Sequence, residues 1–483
     1  MRIMMLVPPS KFARNVARDL VYGCWCKGKR IAGIKFPPMS LLSVATVLKN
    51  EGFDVVLLDA AAENIKIELI QKEARQYDIA IMLTSTMTLN EDAAVLEDIK
   101  KSNPAIKSIV FGGHVSAEAE STLSRQGIDI VVRREAEYII RDVLRQMLKR
   151  SDGWMYVPGI SYREDNKVIH NPDYPLIDNL DELPIPDRTM LPENVDYFNP
   201  IVKRIPYTTM FTSRGCPGQC IFCSSPTFYG RAIRFRSAES VLKEIKVAVD
   251  MGYREIFFRD EIFTISKKRV MAICQGIIDR RLDVTWICSA RIGSVDEQMM
   301  RIMKKAGCHM IRLGVETGNQ ELLDNIKKGI TLEQTREVFR LAHDIGLDTH
   351  AHMMIGVPGE TQKTLERTIK FTKELDPTIV TFGIMTPYPG TPIFNSIRAE
   401  HPDIGDGTQS DISHLHTRSF YNQYFTELTE AELSRHIRNA YRSFYIRPGY
   451  IFRWLMRIRS LDELKRVTLA ATMVFDFSLS IGE

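Results

Sequence analysis

Three cysteines in one short loop are the residues of this chain best suited to chemistry. Cys216, Cys220 and Cys223 lie in the run Arg214-Gly-Cys-Pro-Gly-Gln-Cys-Ile-Phe-Cys223, directly after a stretch that is typical of a β-strand. A structural zinc site takes four protein ligands, and no fourth cysteine lies nearby. Three soft thiolates that leave one metal position open favour an iron–sulfur centre. A zinc knuckle or a chance spacing is the alternative.

The composition is that of an ordinary globular protein. The chain has 483 residues, of which 44% are hydrophobic and 26% are charged, and a length of roughly 150 residues per domain predicts about three domains. A net charge of +4 is too small to indicate nucleic acid binding without a concentrated basic patch. The sequence shows neither a secretory signal nor a membrane-spanning run, so we expect a cytoplasmic protein with reduced thiols.

Residues 1–148 alternate between strand and helix patterns. Apolar runs separated by helical stretches predict a parallel sheet covered on both faces, which is a doubly wound α/β domain. Such domains bind ligands at the carboxyl ends of their strands. The predicted strands are Ile3–Val7, Asp54–Asp59, Ile79–Thr84, Ser108–Phe111 and Ile128–Val132.

Three further parts follow along the chain. Residues 149–206 are rich in proline and predict an extended connector, with a hairpin around Ile160–Ile169. Residues 207–395 contain six strand–helix units, which predict a full or partial barrel with its functional residues at the strand ends. Residues 396–483 are predicted to be helical and basic.

A cysteine loop of this spacing after the first barrel strand resembles the radical S-adenosylmethionine (SAM) superfamily. The resemblance implies that Cys216, Cys220 and Cys223 ligate three irons of a [4Fe–4S] cluster. The amino and carboxylate groups of SAM would then chelate the fourth iron. Phe222 would lie against the adenine.

The resemblance also implies SAM-binding roles at later strand ends. Asp260 and Glu261 stand where the family often has a Gly-Gly-Glu that meets the SAM amino group. Arg291 would pair with the SAM carboxylate, Glu316 would accept the ribose hydroxyls, and Gly356 would let SAM approach the backbone. The full set of expected contacts is Asp260, Glu261, Ser289, Arg291, Gly314, Glu316 and Gly356.

Three residues are candidates for the substrate side of the barrel. Tyr388 lies in the Pro387–Thr391 turn at the end of the sixth strand. His350 and His352 alternate on the fifth strand and therefore share one face. That face is either the barrel interior near the substrate or a packed, hydrogen-bonded pair.

Residues at the strand ends of the first domain could hold a flat ligand. Gly112 and Gly113 leave the backbone open to close approach, and the other expected contacts are Ser10, Ser85, Thr86 and His114. Next to a radical SAM barrel, such a domain resembles the cobalamin-binding class, which includes the anaerobic Mg-protoporphyrin ester cyclase and C-methyltransferases. The loop Asp59–Asn64 lacks the axial His of classical cobalamin domains, which leaves His114 as the nearest alternative ligand.

Two further features have no assigned role. Cys24 and Cys26 form a close pair whose role is structural or incidental, or a contact with a cofactor or a second metal. The basic tail favours helices that cover the barrel, and helices on an anionic membrane are the alternative. The basic residues of this tail are Arg435, Arg438, Arg442, Arg447, Arg453, Arg457, Arg459, Lys465 and Arg466.

Taken together, the resemblance implies a cobalamin-dependent radical SAM enzyme. Reductive cleavage of SAM at the cluster would generate a 5′-deoxyadenosyl radical, used for C-methylation of an unactivated carbon. The alternatives are an oxidative cyclase or ring-rearranging enzyme without methyl transfer, and a non-catalytic metal-binding protein. The expected partners are a small-molecule or lipid-like substrate and an electron donor such as flavodoxin or ferredoxin.

Overall fold

The structure is a computed structural model of the chain. It describes residues 1–11, 13–14, 18, 28–29, 35–149, 152–408 and 420–458, together with 464–465, 467–469, 471–472 and 475. Cys24, Cys26, Arg459 and Arg466 lie outside the described residues.

A seven-stranded sheet forms the amino-terminal part of the molecule. Its strand order is β4-β1-β5-β6-β7-β8-β9, in which the first five strands run parallel and the last two are antiparallel. The strands are β1 (Arg2–Val7), β4 (Asp54–Asp59), β5 (Ile79–Leu83), β6 (Lys107–Phe111), β7 (Ile130–Val132), β8 (Ile160–Glu164) and β9 (Lys167–His170); β2 (Ala13–Arg14) and β3 (Gly28–Lys29) pair separately.

Helices cover both faces of the parallel strands, which explains why the central strands are apolar along their whole length. All five residues of β5 are buried, as a strand between two helical layers requires. Two apolar cores, one on each side, fill the space between the sheet and its helices. The helices are α1 (Met39–Asn50), α2 (Ala60–Glu63), α3 (Ile67–Ala74), α4 (Leu89–Ser102), α5 (Gly113–Ala117), α6 (Ala119–Leu123) and α7 (Ala136–Leu148).

The structure departs from the sequence-based expectation at the end of the first domain. The predicted connector contains the hairpin β8–β9, which adds to the edge of the first sheet through β7, so the sheet extends past residue 148. Between β6 and β7 the chain forms two short helices, α5 and α6. They meet at Glu118, whose φ of −126° interrupts the helical backbone.

Six parallel strands form the second sheet, in the sequential order β10-β13-β14-β15-β16-β17 of a partial barrel. The strands are β10 (Tyr207–Met210), β13 (Glu255–Phe258), β14 (Thr285–Ala290), β15 (Cys308–Glu316), β16 (Asp348–Ile355) and β17 (Ile379–Ile384); β11 (Ser213–Arg214) and β12 (Arg234–Phe235) form a small antiparallel pair. This arrangement confirms the predicted α/β fold class.

The barrel core lies between the strands and the outer helices. At the amino ends of the strands, Phe36 of the first domain packs with Tyr207 and Phe257, which closes that end. The helices are α8 (Ser225–Tyr229), α9 (Ala238–Asp250), α10 (Lys267–Asp279), α11 (Glu297–Lys305), α12 (Gln320–Asn325), α13 (Leu332–Ile345), α14 (Gln362–Leu375), α15 (Pro392–Glu400), α16 (Glu430–Tyr445) and α17 (Pro448–Arg457).

Helix α16 protects the free edge of the barrel sheet. The Tyr441 hydroxyl bonds both the N–H and the carbonyl of Phe382, at 3.1 and 3.0 Å, and Tyr445 does the same for Val380. These contacts satisfy backbone groups that an edge strand would otherwise leave exposed. Within the part of the chain that the structure describes, no helix is both long and apolar enough to cross a membrane.

Candidate functional site

The cysteine loop begins where β11 ends and is anchored to the barrel by backbone hydrogen bonds. The N–H of Cys216 donates to the Gly230 carbonyl at 3.3 Å, and the N–H of Ile221 donates to the Ile326 carbonyl at 3.2 Å. Cys216, like the other two cysteines of the loop, is half-buried. The loop is therefore held rigidly, while its thiols remain accessible from one side.

Two glycines shape this loop. Gly215 has a φ of +96°, and a Cβ there would lie 2.2 Å from the carbonyl oxygen of Ala232. A Cβ on Gly218 would lie 3.3 Å from Cys216 Sγ and 3.8 Å from Cys220 Sγ, so the bare backbone lies beside two sulfurs. The Gly218 N–H donates to Cys216 Sγ at 3.4 Å, a contact of the kind that tunes iron–sulfur centres.

Asp260 anchors the segment that leads into the cysteine loop. Its carboxylate accepts the N–H and hydroxyl of Thr212 at 2.6 and 2.5 Å, and the hydroxyl of Ser213 at 2.6 Å. The side chain is 1% exposed. These hydrogen bonds position the start of the cysteine loop, and the expected contact of Asp260 with SAM stays a prediction.

Glu261 and Arg291 lie closer to the sulfurs. Burial raises the pKa of Glu261 to about 8, and the neighbouring Asp260 carboxylate adds to the shift. An Arg291 Nη atom would lie 3.6 Å from a Cβ on Gly218, and the guanidinium also donates to the carbonyl of Lys328. These two side chains therefore bring a protonatable carboxyl group and a cation to the edge of the cysteine loop.

Lys328 is a residue of this site that sequence reasoning missed. Its ammonium donates to Glu316 Oε1 at 2.5 Å and lies 6.0 Å from the centroid of the Phe222 ring. Burial alone would lower the pKa of Lys328, but Glu316 and Cys220 outweigh it and the net pKa is raised, so the side chain stays charged. In the sequence it is one of two adjacent lysines before a glycine, a pattern that also occurs in ordinary turns.

Gly314 makes room for this ion pair. A Cβ on Gly314 would lie 2.4 Å from Glu316 Oε1 and 2.6 Å from Lys328 Nζ. Glu316 itself has a φ of +67°, a strained conformation for a residue with a side chain. This backbone conformation directs the Glu316 carboxylate toward Lys328.

Gly356, at the end of β16, lies against side chains of the carboxy-terminal region. We expected Gly356 to let SAM approach the backbone, but a Cβ there would lie 2.8 Å from Asn422 Nδ2 and 3.1 Å from Leu433. Its N–H donates to Glu360, and its carbonyl accepts from Asn422 at 2.9 Å. The carboxy-terminal region therefore occupies the space beside the glycine, and the expected approach of SAM to this backbone stays a prediction.

The same turn provides a pH-dependent prediction. Burial raises the pKa of Glu360 to about 8, from an ordinary value of 4.5. The folded state holds this proton where the unfolded state has lost it, so stability falls as the pH rises from about 4.5 to about 8.

Glutamine at position 360 cannot take up or release this proton, so the pH dependence should disappear. For Glu360→Gln we compare the free energy of unfolding of the variant with that of the unaltered protein. We expect this difference to favour the variant by at least about 1 kcal/mol more at pH 9 than at about pH 5. Urea unfolding at both pH values measures this difference. Glu366→Gln, an exposed change on α14, is the matched control, and an equal response of the two variants would contradict the assignment.

The barrel lumen holds two neutral histidines. Ser289, Arg312 and His350 are adjacent in register on β14, β15 and β16. His350 Nε2 lies 2.7 Å from Thr381 Oγ1, and its ring stacks on His352 at 4.2 Å. Burial, reinforced by Arg312, holds the pKa of both imidazoles well below the ordinary value. His350 is packed and hydrogen-bonded, whereas His352 keeps exposed surface.

A cavity that is partly open to solvent lies between the first domain and the carboxyl-terminal end of the barrel. Strand ends of the first domain form one wall, and residues next to the cysteine loop form the other. The lining residues on the first wall include Ser85, Thr86, Gly112, Gly113 and His114, and those on the barrel wall include Ser213, Arg214, Ser224, Phe228, Tyr229 and Tyr388.

Two adjacent glycines play distinct parts in the first wall. Gly112 has a φ of +137°, and a Cβ would lie 2.2 Å from the carbonyl oxygen of Thr84. Around Gly113, by contrast, no atom of the described residues outside its own short helix and its chain neighbours lies within 4 Å of the position of a Cβ. Gly112 therefore fits the strand end, while Gly113 leaves open space on the cavity side.

His114 is held with one ring nitrogen committed. Its Nδ1 lies 3.1 Å from Thr86 Oγ1, and burial lowers its pKa to about 4. Its Nε2 is buried and has no hydrogen-bond partner within the described part of the chain. A neutral imidazole with one unused nitrogen can contact a polar group of a ligand in the cavity.

Two other residues of the first domain have structural roles. Ser10 is not among the residues that line the cavity, and its hydroxyl donates to Glu91 at 2.7 Å, so its expected contact with a ligand stays a prediction. Asp59 accepts the Ala62 N–H at the start of α2 and the Tyr197 hydroxyl. It therefore caps a helix.

Buried ion pairs join the two walls of the cavity. Arg214, two residues before Cys216, contacts Glu137 at 2.5 Å and Glu135 at 3.3 Å. Arg234 also pairs with Glu135, at 2.8 Å. Burial alone would raise the pKa of Glu137, but Arg214 outweighs this and lowers it, so the pair stays charged. The start of α7 is thereby bound to the cysteine loop.

The cysteine loop and the first wall of the cavity fit the two cofactors that the sequence led us to expect, an iron–sulfur cluster and cobalamin. Three soft thiolates on one loop suit an iron–sulfur cluster, in which each binds a different iron. No three His, Cys, Asp or Glu side chains in the described ranges are spaced to hold one metal ion. The open surface of Gly113 and the unused nitrogen of His114 suit a large flat ligand with polar edges.

Comparison with known protein families matches both parts of the chain. Residues 31–144 match the B12 binding domain, and residues 210–372 match the radical SAM superfamily. The cavity therefore lies between the two matched regions.

Full-length relatives have the same organisation. An uncharacterized methyltransferase of Pyrococcus horikoshii is 32% identical over 465 residues, covering 94% of this chain and 94% of the relative. The anaerobic magnesium-protoporphyrin IX monomethyl ester cyclase of Rubrivivax gelatinosus is 28% identical over 88% of this chain and 76% of its own length.

A solved structure shares the fold over almost the whole chain. The radical SAM methyltransferase TsrM from Kitasatospora setae, solved with cobalamin and a [4Fe–4S] cluster, superposes with a TM-score of 0.72. The match covers 98% of this chain and 99% of the other at 16% sequence identity. At this low identity, the match shows that the two proteins share a fold.

Proposed function

We propose that this chain, which belongs to the cobalamin-binding class of the radical SAM superfamily, methylates an unactivated carbon of a small-molecule substrate. The observation that carries the proposal is the cavity between the two domains. Its barrel wall includes Ser213, Arg214 and Ser224, which flank the cysteine loop on both sides. A corrinoid held against Gly113 would therefore face the cluster and SAM across one enclosed space.

The cofactors supply the reactive chemistry, and the protein supplies their placement. When bound, the cluster provides the electron that cleaves SAM and the corrinoid provides a methyl carrier. Cys216, Cys220 and Cys223 would hold the cluster. Arg291 would pair with the carboxylate of SAM, and Glu261 would meet its amino group.

The lumen suits a substrate that must be kept from water. His352 and Tyr388 present polar atoms from partly or largely buried positions, and burial keeps the His352 imidazole neutral by lowering its pKa. Phe36 closes the opposite end of the barrel. A reactive species formed in this space would therefore meet the substrate before solvent.

Anaerobic purification from cobalamin-fed cells tests the proposal. We expect iron and cobalt in the protein, and 5′-deoxyadenosine when SAM and a reductant are added. With SAM labelled in its methyl group, a metabolite extract should contain a product that has gained the labelled methyl. Absence of both 5′-deoxyadenosine and labelled product would refute the proposal.

Oxidative cyclisation without methyl transfer is the second candidate. It is favoured by the 28% identity to the Rubrivivax gelatinosus cyclase. The two reactions differ in product mass, because methylation adds one methylene equivalent and oxidative cyclisation does not. Cleavage of SAM together with an unlabelled product would favour the cyclase.

A low-potential donor must reduce the cluster in either case. We propose flavodoxin or ferredoxin in this role, within the cytoplasm, where thiols stay reduced. Stimulation of SAM cleavage by either protein in place of a chemical reductant would support it. Failure of both would argue for a different donor.

A pair of glycine substitutions tests the corrinoid position. Gly113→Leu should keep the fold, because a Cβ there meets no described atom beyond its own helix and chain neighbours. The leucine should nevertheless fill space that the cobalamin needs and lower cobalamin retention by at least about tenfold. Gly112→Leu should instead destabilise the fold, because its φ is +137° and Thr84 is in the way. Thermal unfolding and visible spectra after gel filtration distinguish the two, and full retention by folded Gly113→Leu would contradict the position.

A further inference from the structure

Four large apolar side chains form the outward face of α17. Ile451, Phe452, Leu455 and Met456 are 44%, 64%, 61% and 61% exposed. With about 3.6 residues per turn, these positions form one continuous arc on the helix surface. A surface helix normally turns its polar face to solvent, so the polarity of α17 is inverted.

Packing on the opposite face fixes this orientation. Tyr450 is buried, and its hydroxyl donates to the Thr378 carbonyl at 2.8 Å. Trp454 packs beside it. Arg453, on the flank of the helix, pairs with Asp376 at 2.7 Å. Rolling the helix to bury its apolar arc would break these contacts, so the apolar arc faces outward in the folded protein.

The sequence around this helix is basic. Residues 447–470 contain six basic and two acidic residues. Further apolar side chains follow within the described residues, where Leu464, Leu469 and Phe475 are 41%, 41% and 48% exposed. An apolar arc within a cationic segment complements the headgroups and upper acyl chains of an anionic bilayer surface.

We propose that α17 docks on the surface of a membrane that contains anionic phospholipid and lies in its plane. One short helix with four apolar side chains is small for a protein interface of about 800 Å² per partner, and the cationic segment favours lipid phosphates over another copy of this basic chain.

The docking surface lies away from the cofactor end of the barrel. Asp376 and Thr378, which hold α17, come just before β17, at the amino ends of the parallel strands. The cysteine loop follows β10 and lies at the carboxyl ends. Membrane docking therefore leaves the cavity open, and the inference is independent of the reaction proposed above.

Vesicle flotation of the full-length protein tests this. We expect the protein to float with vesicles of phosphatidylcholine and phosphatidylglycerol, and to be released by high salt. Phe452→Ser combined with Leu455→Ser should lower the bound fraction by at least about tenfold. Met456→Glu, which places a negative charge in the same arc, should lower it as well.

A matched control separates docking from general hydrophobicity. Leu69→Ser combined with Leu148→Ser removes two apolar side chains that are 48% and 54% exposed elsewhere, and should leave flotation unchanged. Unfolding temperatures should match those of the unaltered protein in every variant. Equal flotation of the α17 variants, or binding to phosphatidylcholine alone that salt does not affect, would overturn the proposal. So would self-association that light scattering shows to depend on Phe452 and Leu455.

Discussion

Cys220→Ala is expected to abolish the visible absorption of the cluster and the cleavage of SAM together. Cys220 is the middle cysteine of the loop, and its sulfur lies close to the bare backbone of Gly218 and to the charge of Lys328. Losing an outer-shell partner already costs about 10–100-fold in metal affinity, so losing a direct ligand should cost more. Iron content, visible spectra and 5′-deoxyadenosine formation measure the effect.

Cys274 provides the control for this experiment. It is fully buried in α10, among the apolar residues of the barrel core. Cys274→Ala should cost some stability but keep iron and SAM cleavage. Retained cleavage in Cys220→Ala would refute the ligand assignment, and tightly bound zinc in the unaltered protein would do the same.

Arg214→Ala is expected to destabilise the protein and release its cobalamin. The change leaves Glu137 buried without its arginine, and breaking a buried pair from one side costs about 3–5 kcal/mol. It also unties α7 from the cysteine loop, which should open the cavity between the domains. Urea unfolding and the cobalt retained after gel filtration measure the two consequences.

Removing both charges should be milder than removing one. In Arg214→Met combined with Glu137→Met no isolated charge remains, so most of the lost stability should return. Cobalamin retention should stay low if the ion pair positions the domains, because methionines do not reproduce its directed contacts. Full retention in both variants would show that the pair is not needed for placement.

Lys328 yields a smaller effect that tests its role as a positioning residue. Lys328→Met leaves the Glu316 carboxylate, which is 6% exposed, without its cation, and an unpaired buried charge is costly. We expect KM for SAM to rise more than kcat falls, and Lys328→Arg to restore part of the loss. Equal effects of Met and Arg would indicate a purely structural role.

The sequence by itself determined the α/β fold, the cysteine loop and the presence of two ligand-binding domains. These features are local: apolar runs with their flanking helices predict parallel strands, and the cysteine spacing is contained in a few residues. The same locality explains why the neighbours of Asp260 and Gly356 could not be predicted. Both stand at strand ends, but only the folded chain shows that Thr212 and Asn422 form hydrogen bonds with them.

Only the tertiary structure decided how the two domains meet. Arg214 and Glu137 are far apart in the chain, and nothing in the neighbourhood of either predicts the other. Lys328 reaches Glu316 across a helix and a turn. Such pairings form because burial makes each isolated charge costly until it finds its partner, and that partner is chosen by the packing of whole elements, which no single stretch of sequence encodes.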